Sequence, residues 1–318
     1  MTLNYTEQRL APLGPDVNPL LNSVTGGENM LPRGAYSPVP TPLDHRLEFD
    51  AVALGSHLRW LSGQGLHGAL VLGTNGEFPS FSLAERLRVA EAAAAADSGL
   101  RLMLGVGSCA LVEVKEMVSA AAANGYDSVL CPPPFYFRAA PVAGIAAFFN
   151  QVLDHAEVPV LLYHIPQVTG VPISEELLDT IDAHPRLAGV KDSSGDLDDL
   201  ARLSRRFAER AYLVGTDRLV TACLRAGGSG SVSAAASVAP ALVGAAHHDP
   251  SVQERLDAVR GLLEAFGLGP SVKSILRRCG LGDYATRPPL VGLEPERADQ
   301  LWQAYCELVP RKARPSIR

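Results

Sequence analysis

Leu187-Ala188-Gly189-Val190-Lys191-Asp192-Ser193-Ser194-Gly195-Asp196 is the stretch on which the reading of the fold turns. An apolar run ends in a lysine, and the Ser/Gly/Asp cluster behind it has the composition of a turn into a helix. An apolar run that does not alternate with polar residues reads as a strand buried on both faces, as happens when helices cover a parallel sheet. Working outward, a strand leading into a proline-punctuated loop begins near Gly34, within Gly34–Pro42, and similar runs recur at Ala69–Leu72, Leu102–Val106, Ser128–Cys131, Pro159–Tyr163, Tyr212–Val214 and Gly230–Val232. Helical patterns lie between them, over Leu83–Ala96, Val112–Ala123, Ala143–His155, Ser174–Ala183, Leu197–Arg210 and Leu219–Ala226. Ser82, three residues before Glu85, has the spacing of a capping box. Eight strand-plus-helix units predict an α/β protein, a closed (β/α)8 TIM barrel. An open doubly wound sheet is the rival, but no G-x-G-x-x-G follows the first strand. After about residue 250 the alternation stops, and Val252–Phe266, Ser271–Cys279 and Pro295–Leu308 read as helices alone. The expected organisation is an N-terminal arm (1–33), a barrel (34–248) and a C-terminal helical appendage (249–318).

Composition excludes several classes of function. The chain has 318 residues, 47% hydrophobic and 19% charged, as expected of a well-cored globular protein. A net charge of -6 offers no basic footprint for nucleic acid or an anionic membrane. No apolar run is long enough to span a bilayer, and the first thirty residues lack a basic segment leading into an apolar core. The five cysteines are scattered without C-x-x-C spacing, so a reducing cytoplasm is the expected location. Eight histidines show neither H-x-x-x-H nor H-E-x-x-H spacing, so no metal site is expected, and no G-x-S-x-G elbow appears.

In a parallel barrel, chemistry gathers where the strands end. The second strand leads into Gly73-Thr74-Asn75-Gly76-Glu77, a turn whose free N–H groups suit a carboxylate or phosphate, or simply a capped loop. The fourth leads into Cys131-Pro132-Pro133-Pro134-Phe135-Tyr136-Phe137, where packing explains the aromatics and Tyr136 is also a possible proton donor. The fifth ends in Tyr163-His164-Ile165-Pro166, and the sixth on Lys191. Lysine is scarce: Lys115, Lys191, Lys273 and Lys312 stand among 28 basic residues. Arginine cannot become a neutral amine near pH 7, whereas a desolvated lysine can. Strands five and six are neighbours in a barrel, so the Tyr163 phenol and the Lys191 amine should converge, the pair that Schiff-base chemistry requires. From the residues alone, an ion pair of Lys191 with Asp192 or Asp196 is equally open. Gly227-Gly228-Ser229-Gly230-Ser231 suits either phosphate binding or close packing.

Taken in order and spacing, Gly73–Glu77, Tyr163–Pro166, Gly189–Asp192 and Gly227–Gly230 resemble the dihydrodipicolinate synthase / N-acetylneuraminate lyase superfamily, over roughly residues 34 to 308. The resemblance implies a class I, metal-independent lyase that needs no cofactor because a lysine forms an imine with pyruvate or another 2-oxo acid. It makes Lys191 the Schiff-base residue and Tyr163 the general acid/base. Thr74, Asn75 and Gly76 become the turn that binds the 2-oxo acid carboxylate, with Thr74 relaying protons. It also puts Val168, Ser193, Gly230 and Val232 near the substrate, and Tyr136 in a neighbouring subunit's site within a homotetramer built as a dimer of dimers. Dihydrodipicolinate synthases carry arginine at the position of Val168 and usually threonine at that of Asn75. Gly73–Pro79, Glu85-Arg86-Leu87 and Lys191–Asp196 are closer to the 4-hydroxy-2-oxoglutarate aldolase pattern. With Val168 apolar and Phe78, Phe135 and Phe137 near in sequence, the aldehyde half is expected to be less polar than glyoxylate. The alternatives are another reaction on the same imine, such as sugar-acid cleavage or dehydration, and a non-catalytic barrel that binds a small molecule.

Overall fold

The computed structural model describes residues 31–315, which belong to one compact unit; the expected N-terminal arm lies outside them except for residues 31–33. Eight parallel strands pair in chain order and close into a barrel, with β1 bonded to both β2 and β8. They are β1 (Gly34–Pro38), β2 (Gly68–Val71), β3 (Arg101–Gly105), β4 (Ser128–Cys131), β5 (Val160–His164), β6 (Leu187–Asp192), β7 (Ala211–Val214) and β8 (Gly230–Val232). Around them run α1 (Ala51–Ser62), α2 (Leu83–Ala95), α3 (Leu111–Ala123), α4 (Val142–His155), α5 (Pro166–Thr169), α6 (Glu175–Ile181), α7 (Leu197–Arg206), α8 (Val220–Arg225) and α9 (Pro240–Ala246). Three more helices follow, α10 (Gln253–Ala265), α11 (Leu268–Arg278) and α12 (Pro295–Leu308).

The unbroken apolar strands do what burial on two faces demands. Tyr36, Leu70, Met103, Leu130, Leu161 and Leu213 fill the barrel interior, while Val71, Leu104, Val129, Leu162 and Val190 pack outward against the helices. Each such side chain contributes roughly 1.5–3 kcal/mol by leaving water. Two strand glycines keep the walls close: a Cβ on Gly105 would lie 2.1 Å from the Leu72 carbonyl, and one on Gly189 2.1 Å from that of Ala211. The helices start on capping side chains. Asp50 accepts from the Ala53 amide, Ser174 from Leu177, and Asp196 from Asp198 and Asp199; Ser82 and Glu85 form the reciprocal box expected of their spacing.

The structure departs from the sequence reading in three places. Strand β6 runs one residue past Lys191, through Asp192. Helix α1 was not expected, because Gly55 and the buried His57 interrupt its apolar pattern; the Asp50 cap was its one sequence signal. The seven-residue α9 is too short for a periodic pattern to stand out. The C-terminal helices pack on the barrel: the Tyr305 hydroxyl donates to Val238 O at 2.7 Å, and Lys273 of α11 meets Glu77 of the loop after β2, also at 2.7 Å. No described helix is long and apolar enough to cross a membrane.

Candidate active site

Strands β5 and β6 lie side by side with Tyr163 level with Lys191, and β7 places Leu213 level with Lys191 on the other side. Residues in register on adjacent parallel strands point to the same face, here the barrel interior. The Lys191 Nζ donates to the Tyr163 hydroxyl at 3.3 Å and lies 4.3 Å from the centre of its ring. The Thr74 hydroxyl stands 3.1 Å from the same Tyr163 oxygen. Thr74 is carried by a tight turn in which the Gly76 amide donates to Gly73 O and the Glu77 amide to Thr74 O, both at 3.0 Å. The Thr41 hydroxyl anchors that turn by donating to Gly76 O at 2.8 Å. The result is a chain Lys191–Tyr163–Thr74 in which Lys191 is 3% and Tyr163 5% exposed.

Burial alone would raise the Tyr163 pKa. The Lys191 charge outweighs it, together with hydrogen bonds from Thr74, Ser193 and Lys191, and holds the phenol below its ordinary value of 10.0. The ion-pair reading of Lys191 fails, because the neighbouring carboxylates are engaged elsewhere. Asp192 accepts from the Ser194 amide and from the Tyr212 hydroxyl, each at 2.8 Å. Asp196 caps α7. Among the described residues Lys191 therefore faces a phenol instead of a carboxylate.

These groups open into a cavity of about 400 Å³. Thr74, Asn75, Tyr163, Val168, Lys191, Ser193 and Val232 all line it, so most of the residues expected from the sequence converge on one space. Ser193 owes its position to Gly215, where a Cβ would fall 1.8 Å from the serine hydroxyl. Two residues expected to bind substrate, Gly230 and Gly76, fall outside the cavity, and the phosphate reading of the glycine-rich loop goes with the first. Gly230 is at the amino-terminal end of β8, beside Gly34, where a Cβ would lie 2.1 Å from Gly34 O; it serves strand packing and does not line the cavity. The glycine-rich segment before β8 is likewise at the end of the barrel away from Lys191, so its phosphate reading falls. Gly76 sits behind Thr74 and Asn75 as turn backbone and also does not line the cavity. Tyr136 lies outside this cavity as well, 79% exposed and edge-on to Phe137 at 5.6 Å.

The phenylalanines expected near the aldehyde half are placed elsewhere. Phe78 packs edge-on against Phe135, and neither they nor Phe137 reach the cavity. Its wall is completed by the apolar Pro38, Ile165, Ala234 and Leu268 and by Gln167, Thr216, Arg218, Arg260 and Glu264, the last five of which the sequence reading did not single out. Thr216 and Arg218 follow the end of β7, where the strand-end rule had a signal to offer. Arg260 and Glu264 come from α10, beyond the barrel, where no local pattern marks them. No group of three His, Cys, Asp or Glu side chains that could hold a metal occurs among the described residues.

Residues 31–306 match the dihydrodipicolinate synthetase family. The chain belongs to that family. It is 37% identical over 287 residues to an uncharacterized DapA-like lyase of Chloroflexus aurantiacus, covering 86% of this chain and 96% of that one. It is 35% identical over 273 residues to a DapA-like lyase of Halobacterium salinarum, covering 82% and 89%. Among solved structures, YagE of E. coli K12, a prophage protein of the dihydrodipicolinic acid synthase family solved with pyruvate, superposes with a TM-score of 0.82. At 24% identity, over 87% of this chain and 98% of that one, it shares the fold. Family membership makes this a lyase-type TIM barrel.

Proposed function

We propose that the protein is a class I lyase that cleaves, or forms, a 4-hydroxy-2-oxo acid through an imine on Lys191, yielding pyruvate and an aldehyde. The observation that carries this reading is the buried Lys191–Tyr163–Thr74 chain at the floor of the cavity. An attacking amine must be neutral, and the Tyr163 oxygen, 3.3 Å from Nζ and below its ordinary phenol pKa, is placed to take the proton. The amine adds to the C2 ketone, and Tyr163 passes the proton it took to the carbinolamine hydroxyl, which departs as water and leaves the iminium and the phenolate. Tyr163 then removes the C4 hydroxyl proton, directly or through Thr74. The C3–C4 bond breaks, its electron pair moves into the iminium, and the aldehyde departs from the enamine. Protonation at C3 and hydrolysis return the amine and release pyruvate. The iminium is the electron sink, so the reaction calls for no added cofactor.

Within the family, Val168 argues against dihydrodipicolinate synthesis, because it stands where those synthases carry arginine. The Gly73–Pro79 and Lys191–Asp196 motifs support a 4-hydroxy-2-oxoglutarate aldolase-like reaction. The same imine would also serve sugar-acid cleavage, and a panel of 2-oxo acids scored for pyruvate release separates these. In a homotetramer, the exposed Tyr136 would be available to a neighbouring copy. The primary test is trapping: incubation with pyruvate and borohydride should add the reduced pyruvyl group to Lys191, read by peptide mass spectrometry. An unmodified Lys191 under conditions where the folded protein binds pyruvate overturns the proposal.

A further inference from the structure

Besides the apolar Val168, the lining of the cavity carries two arginines and a glutamate. Arg218 follows β7, and Arg260 and Glu264 lie one turn apart on α10. Glu264 is fully engaged: Oε2 accepts from Arg218 at 2.6 Å and Oε1 from Arg260 at 2.7 Å. The guanidiniums hold its carboxyl below the usual range against the opposing effect of burial. Asp217, wholly buried beside them, is occupied in the same way, with Arg260 at 3.1 Å and the Ala235 amide at 3.3 Å. Both carboxylates thus already face guanidinium donors. Donors remain. A guanidinium has five N–H groups. Arg218 uses one of them in the Glu264 bond, and its side chain is 47% exposed while lining the cavity. Glu264 keeps Arg260 when Arg218 turns away, so redirecting Arg218 leaves no buried charge unpaired.

We infer that Arg218 is a specificity-determining residue that binds an anionic group, carboxylate or phosphate, at the end of the substrate remote from the imine. This rests on the imine reading above and names its substrate class: 2-oxo acids that carry a second negative charge. The arrangement does the work of a carboxylate clamp from the β7 loop, where position 168 has only an apolar side chain. A planar guanidinium suits either anion because it can present two parallel N–H groups to a pair of oxygens.

The test compares 4-hydroxy-2-oxo acids of matched length that end in a carboxylate, a phosphate ester or a neutral hydroxymethyl group, scored by pyruvate release. The wild type should favour at least one anionic substrate over the neutral one. Arg218→Ala should raise KM for the anionic substrates on the order of tenfold to a hundredfold, as expected for losing a charge-assisted contact. The neutral substrate should change far less, and Arg218→Lys should restore part of the difference. Equal losses on charged and neutral substrates would show Arg218 to be only a structural tie to α10 and overturn the inference. A wild type that prefers the neutral substrate overturns it without any variant, which keeps the test decisive if Arg218→Ala folds poorly. Borohydride trapping of pyruvate on the wild type reports the imine independently of the remote group, so failure of the two readings is distinguishable.

Discussion

At the scale of single residues, the site depends on one oxygen. The Tyr163 hydroxyl meets both the Lys191 amine and the Thr74 hydroxyl. Removing it in Tyr163→Phe leaves the ring and its packing but no proton carrier, and kcat should fall by about 10² to 10⁴-fold. Circular dichroism should show an unchanged fold. The pH profile supplies a finer check. Thr74 is one of the groups that keep the Tyr163 pKa below 10.0, since donation to the phenolate favours the charged form. Thr74→Val removes that donation, so the limb of the kcat profile assigned to Tyr163 should move to higher pH. A limb that stays in place, or moves down, would exclude Tyr163 as the titrating group.

At the scale of elements, the turn after β2 is held by a partner nearly two hundred residues away in sequence. Glu77 has a left-handed backbone, φ 55°, unusual for a residue with a side chain, and its carboxylate is buried against Lys273 of α11. Lys273 also donates to Ala285 O at 3.0 Å. The pair fastens the C-terminal helices to the loop that carries Thr74 and Asn75. Breaking it from one side leaves a buried charge without its counterion, which typically costs about 3–5 kcal/mol. Glu77→Gln should therefore lower the urea midpoint strongly and weaken activity with it. The double variant Glu77→Gln/Lys273→Met should recover much of the stability, because neither charge remains. If the single and double variants unfold alike, the pair is not what holds the loop.

At the scale of the whole molecule, a buried histidine and a half-buried one tie stability to pH. His57, on the buried face of α1, has Nε2 3.0 Å from Ser237 O, and burial lowers its pKa from 6.5 to about 4. His247, beside the Ser231 hydroxyl at 2.9 Å, is lowered to about 4 by burial and by His67 and His248. In the unfolded chain both take up protons near pH 6.5; in the folded protein both stay neutral down to about pH 4. The stability they support is complete above pH 6.5 and is lost as the pH falls toward 4, by up to about 3 kcal/mol for each. His57→Phe should flatten the dependence of the unfolding free energy on pH between those values. A slope that persists unchanged points to groups other than His57.

Much of this protein is legible along the chain because its determinants are local. Eight apolar runs that do not alternate can be buried only under helices on a parallel sheet, and Ser82, Ser174 and Asp196 mark helix starts by reaching amides two or three residues away. Lys191 and Tyr163 were also readable as partners, because strand order follows chain order in this barrel and brings β5 beside β6. What the chain alone left undecided was settled by contacts distant in sequence. The amine at Lys191 is distinguished from an ion-paired lysine only because Asp192 is turned to Tyr212 and Asp196 to its own helix. Gly228 and Gly230 proved to be close-packing glycines because they lie against Cys223 and Gly34. The character of the substrate pocket depended on α10, which brings Arg260 and Glu264 over the end of a barrel whose sequence had already finished. Hydrogen bonds within a turn are short-range and leave a pattern in the sequence; side-chain convergence between remote segments leaves none, so only the tertiary structure could decide it.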